Sequence, residues 1–117
     1  MARTALMHVM VQAAIKAGRS LARDFGEVEN LQVSLKGPAD FVSAADRRSE
    51  QILHRELSKA RPGWGFLMEE NGTIEGDGVH RWIIDPLDGT TNFLHAVPLF
   101  TISLALEKAG QLVAGLI

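Results

Sequence analysis

Carboxylate side chains stand at the ends of two apolar stretches of the sequence. Asp85 and Asp88 follow one stretch, and the adjacent pair Glu69 and Glu70 follows the other. If the two stretches are neighbouring strands of one sheet, their acidic ends share one rim. Hard divalent cations such as Mg²⁺ prefer oxygen ligands grouped in this way. The pattern therefore indicates a metal site, although Asp-Pro and Asp-Gly are also common in ordinary turns.

The residues directly after Asp88 favour an anion. Gly89 lets the backbone approach a ligand closely, and Thr90 leads into a short helical turn expected at residues 91–95. Backbone amides at the start of a helix attract negative charge. Carboxylates that bind a metal beside such amides indicate a phosphate ester or anhydride held together with a metal ion.

Two helices are expected to precede these clusters. Apolar residues recur at helical spacing over residues 4–25, with Thr4 as the N-cap and Gly26 as the stop. A second helix is predicted to begin at Ser43-Ala-Ala-Asp46, which resembles a capping box, and to end at Arg61-Pro-Gly. This order places helices first and the acidic segments after them.

The remaining segments are predicted to be strands and loops. Alternation of apolar and polar residues predicts a strand over 31–36, and residues 40–42 form either a second short strand or an extended link. Further along the chain we predict buried strands at 64–68 and 80–85, a loop at 71–79, and a β-hairpin made by 99–107 and 112–117.

Composition narrows the class of protein. The 117 residues suit one domain, and twelve basic against fourteen acidic residues give a charge of −2. This balance favours neither a nucleic-acid partner nor an anionic surface. The chain has no Cys, which excludes disulfides and thiolate metal sites and fits the cytoplasm. No apolar run is long enough for a membrane helix.

Because the last residues, 112–117, are wholly apolar, we expect a fragment of a larger chain.

One long motif resembles a known family. Residues 82–93, Trp-Ile-Ile-Asp-Pro-Leu-Asp-Gly-Thr-Thr-Asn-Phe, closely resemble the first signature of the inositol monophosphatases. The segment 40–46 resembles the family's Asp-x-Val-Thr-x-x-Asp, with Ser43 in place of Thr. The pair at 69 and 70 resembles its acidic pair, and Lys36 is similarly placed before a Gly-Pro break. The matches follow the family's order.

The resemblance implies a ligand set for two or three Mg²⁺ ions. Glu69, Asp85 and the backbone carbonyl of Leu87 would bind the first ion. Asp85 and Asp88 would bind the second, and Glu69 would help to hold a third. The family's further Asp ligand lies in a second signature that this sequence does not reach.

The resemblance also implies catalytic and supporting residues. The amides of Gly89 and Thr90 would hold the phosphate, and Thr90 together with Glu69 would orient and activate the attacking water. Three residues would support the site from outside the ligand shell: Lys36, Asp46 and Glu70. Without the resemblance, Asp46 is more simply explained as the third helical residue of a capping box.

The implied fold is α+β: two helices packed on a largely antiparallel sheet, the N-terminal portion of an αβαβα layered fold. The implied function is Mg²⁺-dependent hydrolysis of a small phosphate monoester, with inositol 1-phosphate as the leading substrate and a homodimer as the assembly. Fructose 1,6-bisphosphate, histidinol phosphate and a non-catalytic regulatory module remain open. Residues 1–117 would form the metal- and phosphate-binding portion, with weak or no activity alone because the C-terminal half is absent.

Overall fold

A computed structural model describes residues 4–31 and 38–117. Its elements in chain order are α1 (Ala5–Leu31), α2 (Pro38–Ala60), β1 (Gly65–Met68), β2 (Gly72–Ile74), β3 (His80–Asp88), α3 (Thr90–Leu94), β4 (Thr101–Lys108) and β5 (Gln111–Leu116). The five strands form one sheet in the order β2-β1-β3-β4-β5. The predicted α+β architecture, with two long helices on a sheet, is confirmed.

The sheet is mixed, because one of its strand pairs is parallel. β1 pairs with β3 in parallel, whereas the pairs β1–β2, β3–β4 and β4–β5 are antiparallel. The connection between β1 and β3 contains β2, so the predicted loop at 71–79 includes a short edge strand. The predicted hairpin is confirmed as β4 and β5. The parallel pair brings the ends of the two apolar strands side by side.

Helix α1 begins where the sequence predicts and ends later. The Thr4 hydroxyl accepts a hydrogen bond from the Met7 amide at 3.1 Å, which confirms the N-cap. The predicted stop at Gly26 is wrong, since α1 continues to Leu31. Val28 is fully buried beyond the glycine, and this packing outweighs the modest helix penalty of one interior Gly.

Helix α2 begins earlier than the capping-box pattern predicts. It starts at Pro38, a residue suited to the first helical position because its fixed φ matches the helix. The segment 40–42 is therefore helical and is neither a strand nor an extended link. Asp46 lies inside α2, so its capping role is wrong. A strand was also predicted over 31–36. Its first residue, Leu31, belongs to α1, and residues 32–36, including Lys36, lie outside the described residues.

The core lies between the helices and one face of the sheet. Met10 of α1, Leu53 of α2 and Trp82 of β3 are fully buried in one apolar cluster. A second apolar cluster, built around Phe93 and Leu87, joins α3 and the end of β3 to both helices. In the described parts of the chain, no helix combines the length and apolar character needed to cross a bilayer.

Candidate active site at the acidic end of the sheet

The parallel pairing of β1 and β3 brings the two acidic clusters together. Met68, the last residue of β1, is the register partner of Ile84, so Glu69 follows β1 where Asp85 follows Ile84 on the neighbouring parallel strand. Their carboxyl groups lie within hydrogen-bonding range of each other. The expected common rim therefore exists, and we call this edge of the sheet the acidic end.

An irregularity in β3 shapes the second half of the acidic end. Asp85 pairs with Ser103 and Asp88 pairs with Thr101, so β3 carries one more residue than β4 over this interval. In a regular strand, residues three positions apart face opposite sides, and one extra residue changes that relation. The Asp85 carboxylate also accepts the Leu87 amide at 3.4 Å. Neither Pro86 nor Leu87 has a register partner on β4.

Asp46 of α2 faces the same end from the helix layer. Its side chain is buried, with only 5% exposed, and within the described residues its Oδ1 atom has no hydrogen-bond partner. Burial, together with the neighbouring carboxylates of Glu69, Glu70, Asp85 and Glu50, raises the pKa of Asp46 from 3.8 to about 7. The Asp46 Oδ1 atom is therefore an acceptor that the described residues leave unsatisfied.

Glu69 experiences the same crowding. Partial burial of its carboxyl raises its pKa, and the neighbouring carboxyl of Asp85 raises it further through charge and through a shared hydrogen bond. Glu70 and Glu50 act in the same direction. Each of these effects disfavours a second negative charge at one point in space. A bound cation would lower these pKa values, because positive charge favours the ionised carboxylates.

The residues proposed for phosphate lie directly after β3. Gly89 has φ +91°, a left-handed conformation, and a Cβ placed on it would lie 2.8 Å from the Leu99 carbonyl oxygen. The Asn92 side chain donates to that same oxygen at 2.8 Å. Thr90, the first residue of α3, is exposed. An open depression of about 460 Å³ lies beside Asp88 and Gly89.

Sequence reasoning missed two residues of α2 that contact this end. Ser49 and Glu50 are fully buried. The Ser49 hydroxyl donates to the Pro86 carbonyl at 2.7 Å, and Glu50 accepts the Glu70 amide at 2.9 Å. The signal was present in the sequence, because polar residues at positions 46, 49 and 50 share one face of a helix that also buries Leu53.

The donor chemistry of the acidic end fits Mg²⁺. Carboxylate and carbonyl oxygens are its preferred ligands, and the orphaned Asp46 oxygen faces several acids rather than a cationic partner. Glu69 and Asp85 are in contact, whereas Asp88 and Thr90 are exposed at the same end. Across residues 4–31 and 38–117, no three His, Cys, Asp or Glu side chains are disposed to surround an ion. The acids come together in the expected place without forming a closed ligand cage.

Comparison with known proteins identifies the family. The fold is an α+β fold in which several carboxylate side chains lie at one end of a mixed sheet. The model of the inositol monophosphatase family matches residues 3–117. The chain belongs to the inositol monophosphatase family.

Individual relatives agree with this assignment. A protein of Mesorhizobium japonicum named inositol-1-monophosphatase is 73% identical over 118 residues and is matched by the whole chain over 44% of its own length. The structure of the extragenic suppressor protein suhB from Bartonella henselae superposes with a TM-score of 0.83 at 68% identity, over 96% of this chain and 44% of that one.

A third relative carries a different name. The Nus factor SuhB of Pseudomonas aeruginosa is 39% identical over 110 residues, which cover 92% of this chain and 41% of the relative. The chain thus spans less than half the length of the relatives that it matches.

Proposed function

We propose that this chain is the metal- and phosphate-binding portion of a Mg²⁺-dependent phosphatase that releases phosphate from inositol 1-phosphate. The observation that carries the proposal is the crowding at the acidic end: among the described residues, one oxygen of buried Asp46 has no hydrogen-bond partner, and it lies near acids from the ends of two parallel strands. Family membership supplies the reaction class, and the relative named inositol-1-monophosphatase supports the substrate. Residues 1–117 would be the N-terminal portion of the complete catalytic unit.

The ligand set follows the oxygen donors at the acidic end. Glu69, Asp85 and the Leu87 carbonyl would hold one ion, Asp85 and Asp88 a second, and Glu69 a third. The contact between Glu69 and Asp85 supports this assignment, as does the absence of Leu87 from the β3–β4 register. Bound Mg²⁺ would lower the pKa of water and neutralise charge on the phosphate and the leaving oxygen.

The chain's own residues bind and orient the reactants. The amides of Gly89 and Thr90 would donate to the phosphate oxygens, as backbone amides after a glycine turn commonly do. The Glu69 carboxylate would accept a proton from the attacking water, and the Thr90 hydroxyl would hold that water in line. Glu70 and Asp46 would support the site from behind, together with Lys36, which lies outside the described residues.

The cellular setting, the type of partner and the assembly are further parts of the proposal. A chain without Cys suits a reducing compartment, and we propose the cytoplasm. The slight negative charge supports a small phosphate ester as partner in preference to nucleic acid or a membrane. We propose a homodimer by analogy with the family.

The test is release of inorganic phosphate from inositol 1-phosphate by the intact protein that contains this chain. Release should depend on Mg²⁺, stop with a chelator and be lost in Asp88→Asn. Fructose 1,6-bisphosphate and histidinol phosphate, assayed in parallel, should react more slowly. Equal rates with and without Mg²⁺, or faster release from either alternative, would contradict the proposal.

A second candidate is a regulatory role, and the relative named Nus factor SuhB favours it. The same Asp88→Asn variant separates the two functions. A protein that acts only as a binding module keeps its partner when Asp88 is replaced, whereas an enzyme loses turnover. The two roles are also compatible in one protein, in which case turnover falls and partner binding persists.

A further inference from the structure

Two adjacent residues of α2, Ser49 and Glu50, form hydrogen bonds with the two segments that carry Asp85 and Glu69. The Ser49 hydroxyl donates to the Pro86 carbonyl at 2.7 Å, inside the irregular part of β3 that follows Asp85. Glu50 bonds to the turn after β1, on the chain directly after Glu69. Because neighbouring residues of one helix have a fixed separation, the two segments are tied to a common rigid element.

Glu50 forms more hydrogen bonds with the acidic end than Ser49 does. Its Oε1 atom accepts the Glu70 amide at 2.9 Å, and its Oε2 atom accepts the Asn71 amide at 3.1 Å and the Asn71 side-chain amide at 2.9 Å. The side chain is fully buried, so loss of any of these donors leaves a buried acceptor unsatisfied. Glu50 therefore differs from Asp46, whose Oδ1 atom has no partner in the described chain.

The peptide that Glu50 holds is the one attached to Glu69. The Glu70 nitrogen is bonded to the Glu69 carbonyl carbon, so fixing this nitrogen fixes the main chain that carries the Glu69 carboxylate. On the other strand, Pro86 follows Asp85 directly, and Ser49 fixes its carbonyl. We propose that Ser49 and Glu50 are positioning residues that set the separation of the Glu69 and Asp85 carboxylates, and with it the affinity of the acidic end for Mg²⁺.

The inference rests on the proposed function for the identity of the metal, and calorimetric titration of Mg²⁺ into the intact protein tests it without turnover. Partners that orient metal ligands are typically worth about 10- to 100-fold in affinity. We expect Glu50→Gln to weaken Mg²⁺ binding by about tenfold, because the amide group keeps the shape but replaces one acceptor with a donor. Ser49→Ala should weaken it by about threefold, in keeping with one lost neutral hydrogen bond.

Glu56→Gln is the matched control. It makes the same substitution on the same helix, but the Glu56 carboxylate pairs with Lys16 of α1, away from the acidic end. Its Mg²⁺ affinity should equal that of the unsubstituted protein. Hydrogen exchange adds a local readout: the Glu70 and Asn71 amides should exchange faster in Glu50→Gln and at the normal rate in Glu56→Gln.

A purely structural role for Glu50 predicts a different result. It would lower the melting temperature and the active fraction, yet leave the Mg²⁺ concentration for half-saturation unchanged. A folded Glu50→Gln protein with unchanged Mg²⁺ affinity therefore overturns the inference. If Glu50→Gln fails to fold, the Mg²⁺ affinity of Ser49→Ala is measured instead. An unchanged affinity in Ser49→Ala then overturns the inference.

The proposed function fails separately. If the unsubstituted protein binds Mg²⁺ and Glu50→Gln binds it less tightly, but neither releases phosphate, the positioning role stands and the phosphatase proposal falls. If the unsubstituted protein does not bind Mg²⁺, the positioning role and the phosphatase proposal are both wrong.

Discussion

Acidic residues at the two ends of the parallel strand pair behave in opposite ways. At the end opposite the acidic end, Asp77 accepts the Val79 and His80 amides and the His80 ring nitrogen, each at 2.8 Å. These bonds to His80 and Val79 lower the pKa of Asp77 from 3.8 to about 2. At the acidic end, burial and neighbouring acids raise the pKa of Asp46 to about 7.

The difference separates a structural carboxylate from one available for a ligand. Asp77 has donors for both oxygens within its own loop, and the His80 ring stacks on Trp64 with centroids 4.0 Å apart. The Asp77 carboxylate is therefore satisfied without a ligand. The acidic end collects carboxylates where Glu69 and Asp85 face each other, so a divalent cation would relieve their repulsion.

The largest expected effect comes from replacing Asp85, the ligand proposed to be shared by two ions. Asp85→Asn in the intact protein should lower phosphate release by at least about 100-fold, since metal ions supply several kcal/mol of transition-state stabilisation. Asp77→Asn is the same substitution at the opposite end and should leave turnover nearly unchanged. An Asp85→Asn enzyme with more than a tenth of normal turnover would contradict the comparison.

A second prediction compares two glycines in left-handed conformations. An alanine at Gly89 would bring its Cβ within 2.8 Å of the Leu99 carbonyl oxygen, whereas at Gly78, near Asp77, nothing lies within 4 Å. Both substitutions carry the left-handed penalty of about 1–2 kcal/mol, but only Gly89→Ala adds a clash with backbone. Chemical denaturation should show a clearly greater loss of stability for Gly89→Ala. Equal losses would show that the backbone beside Gly89 yields easily.

The pH dependence of stability tests the raised pKa of Asp46. Because the folded-state pKa is near 7 and the ordinary value is 3.8, the folded protein retains a proton that the unfolded chain releases. This contribution is fully present below about pH 4 and is lost as the pH rises through about 7. In a chelator, the melting temperature should therefore decline over that range.

Asp46→Asn is the control for this titration, because the amide cannot lose a proton. Its melting temperature should vary less with pH over the same range. If the unsubstituted protein and Asp46→Asn gave parallel curves, Asp46 would not be the titrating group.

The smallest effect concerns Asp77, whose pKa is shifted in the other direction. Its folded-state value of about 2 lies below 3.8, so its contribution is present above about pH 4 and is lost as the pH falls toward 2. Asp77→Asn should remove this part of the acid sensitivity while leaving the behaviour near pH 7 intact. Thermal melts between pH 2 and 5 measure it, and an unchanged acid profile would argue against the His80 pairing.

The acidic end was predictable because its carboxylates directly follow two apolar stretches in the sequence. Carboxylates at the ends of two apolar strands need only those strands to be neighbours, and the pairing of Met68 with Ile84 makes them so. The roles of individual ligands remain predictions. The family was recognisable from one long motif, and the match over residues 3–117 confirms it.

Other features were not predictable from local pattern. A Ser-x-x-Asp motif marks a helix start only when the preceding residues are not helical, and here Pro38 starts α2 earlier. Gly26 resembles a helix stop, but burial of Val28 carries α1 past it. The contact of Glu50 with Glu70 joins residues 20 positions apart, so it depends on how α2 packs against the sheet.

Calorimetric titration of Mg²⁺ into the intact protein, Asp85→Asn and Asp77→Asn at pH 7.5 tests the central claim most directly. The claim is that the crowded carboxylates bind a divalent cation and that the paired carboxylate does not. The unsubstituted protein and Asp77→Asn should show the same saturable binding, and Asp85→Asn should show little or none. Equal binding by all three proteins, or loss of binding in Asp77→Asn alone, would contradict the account.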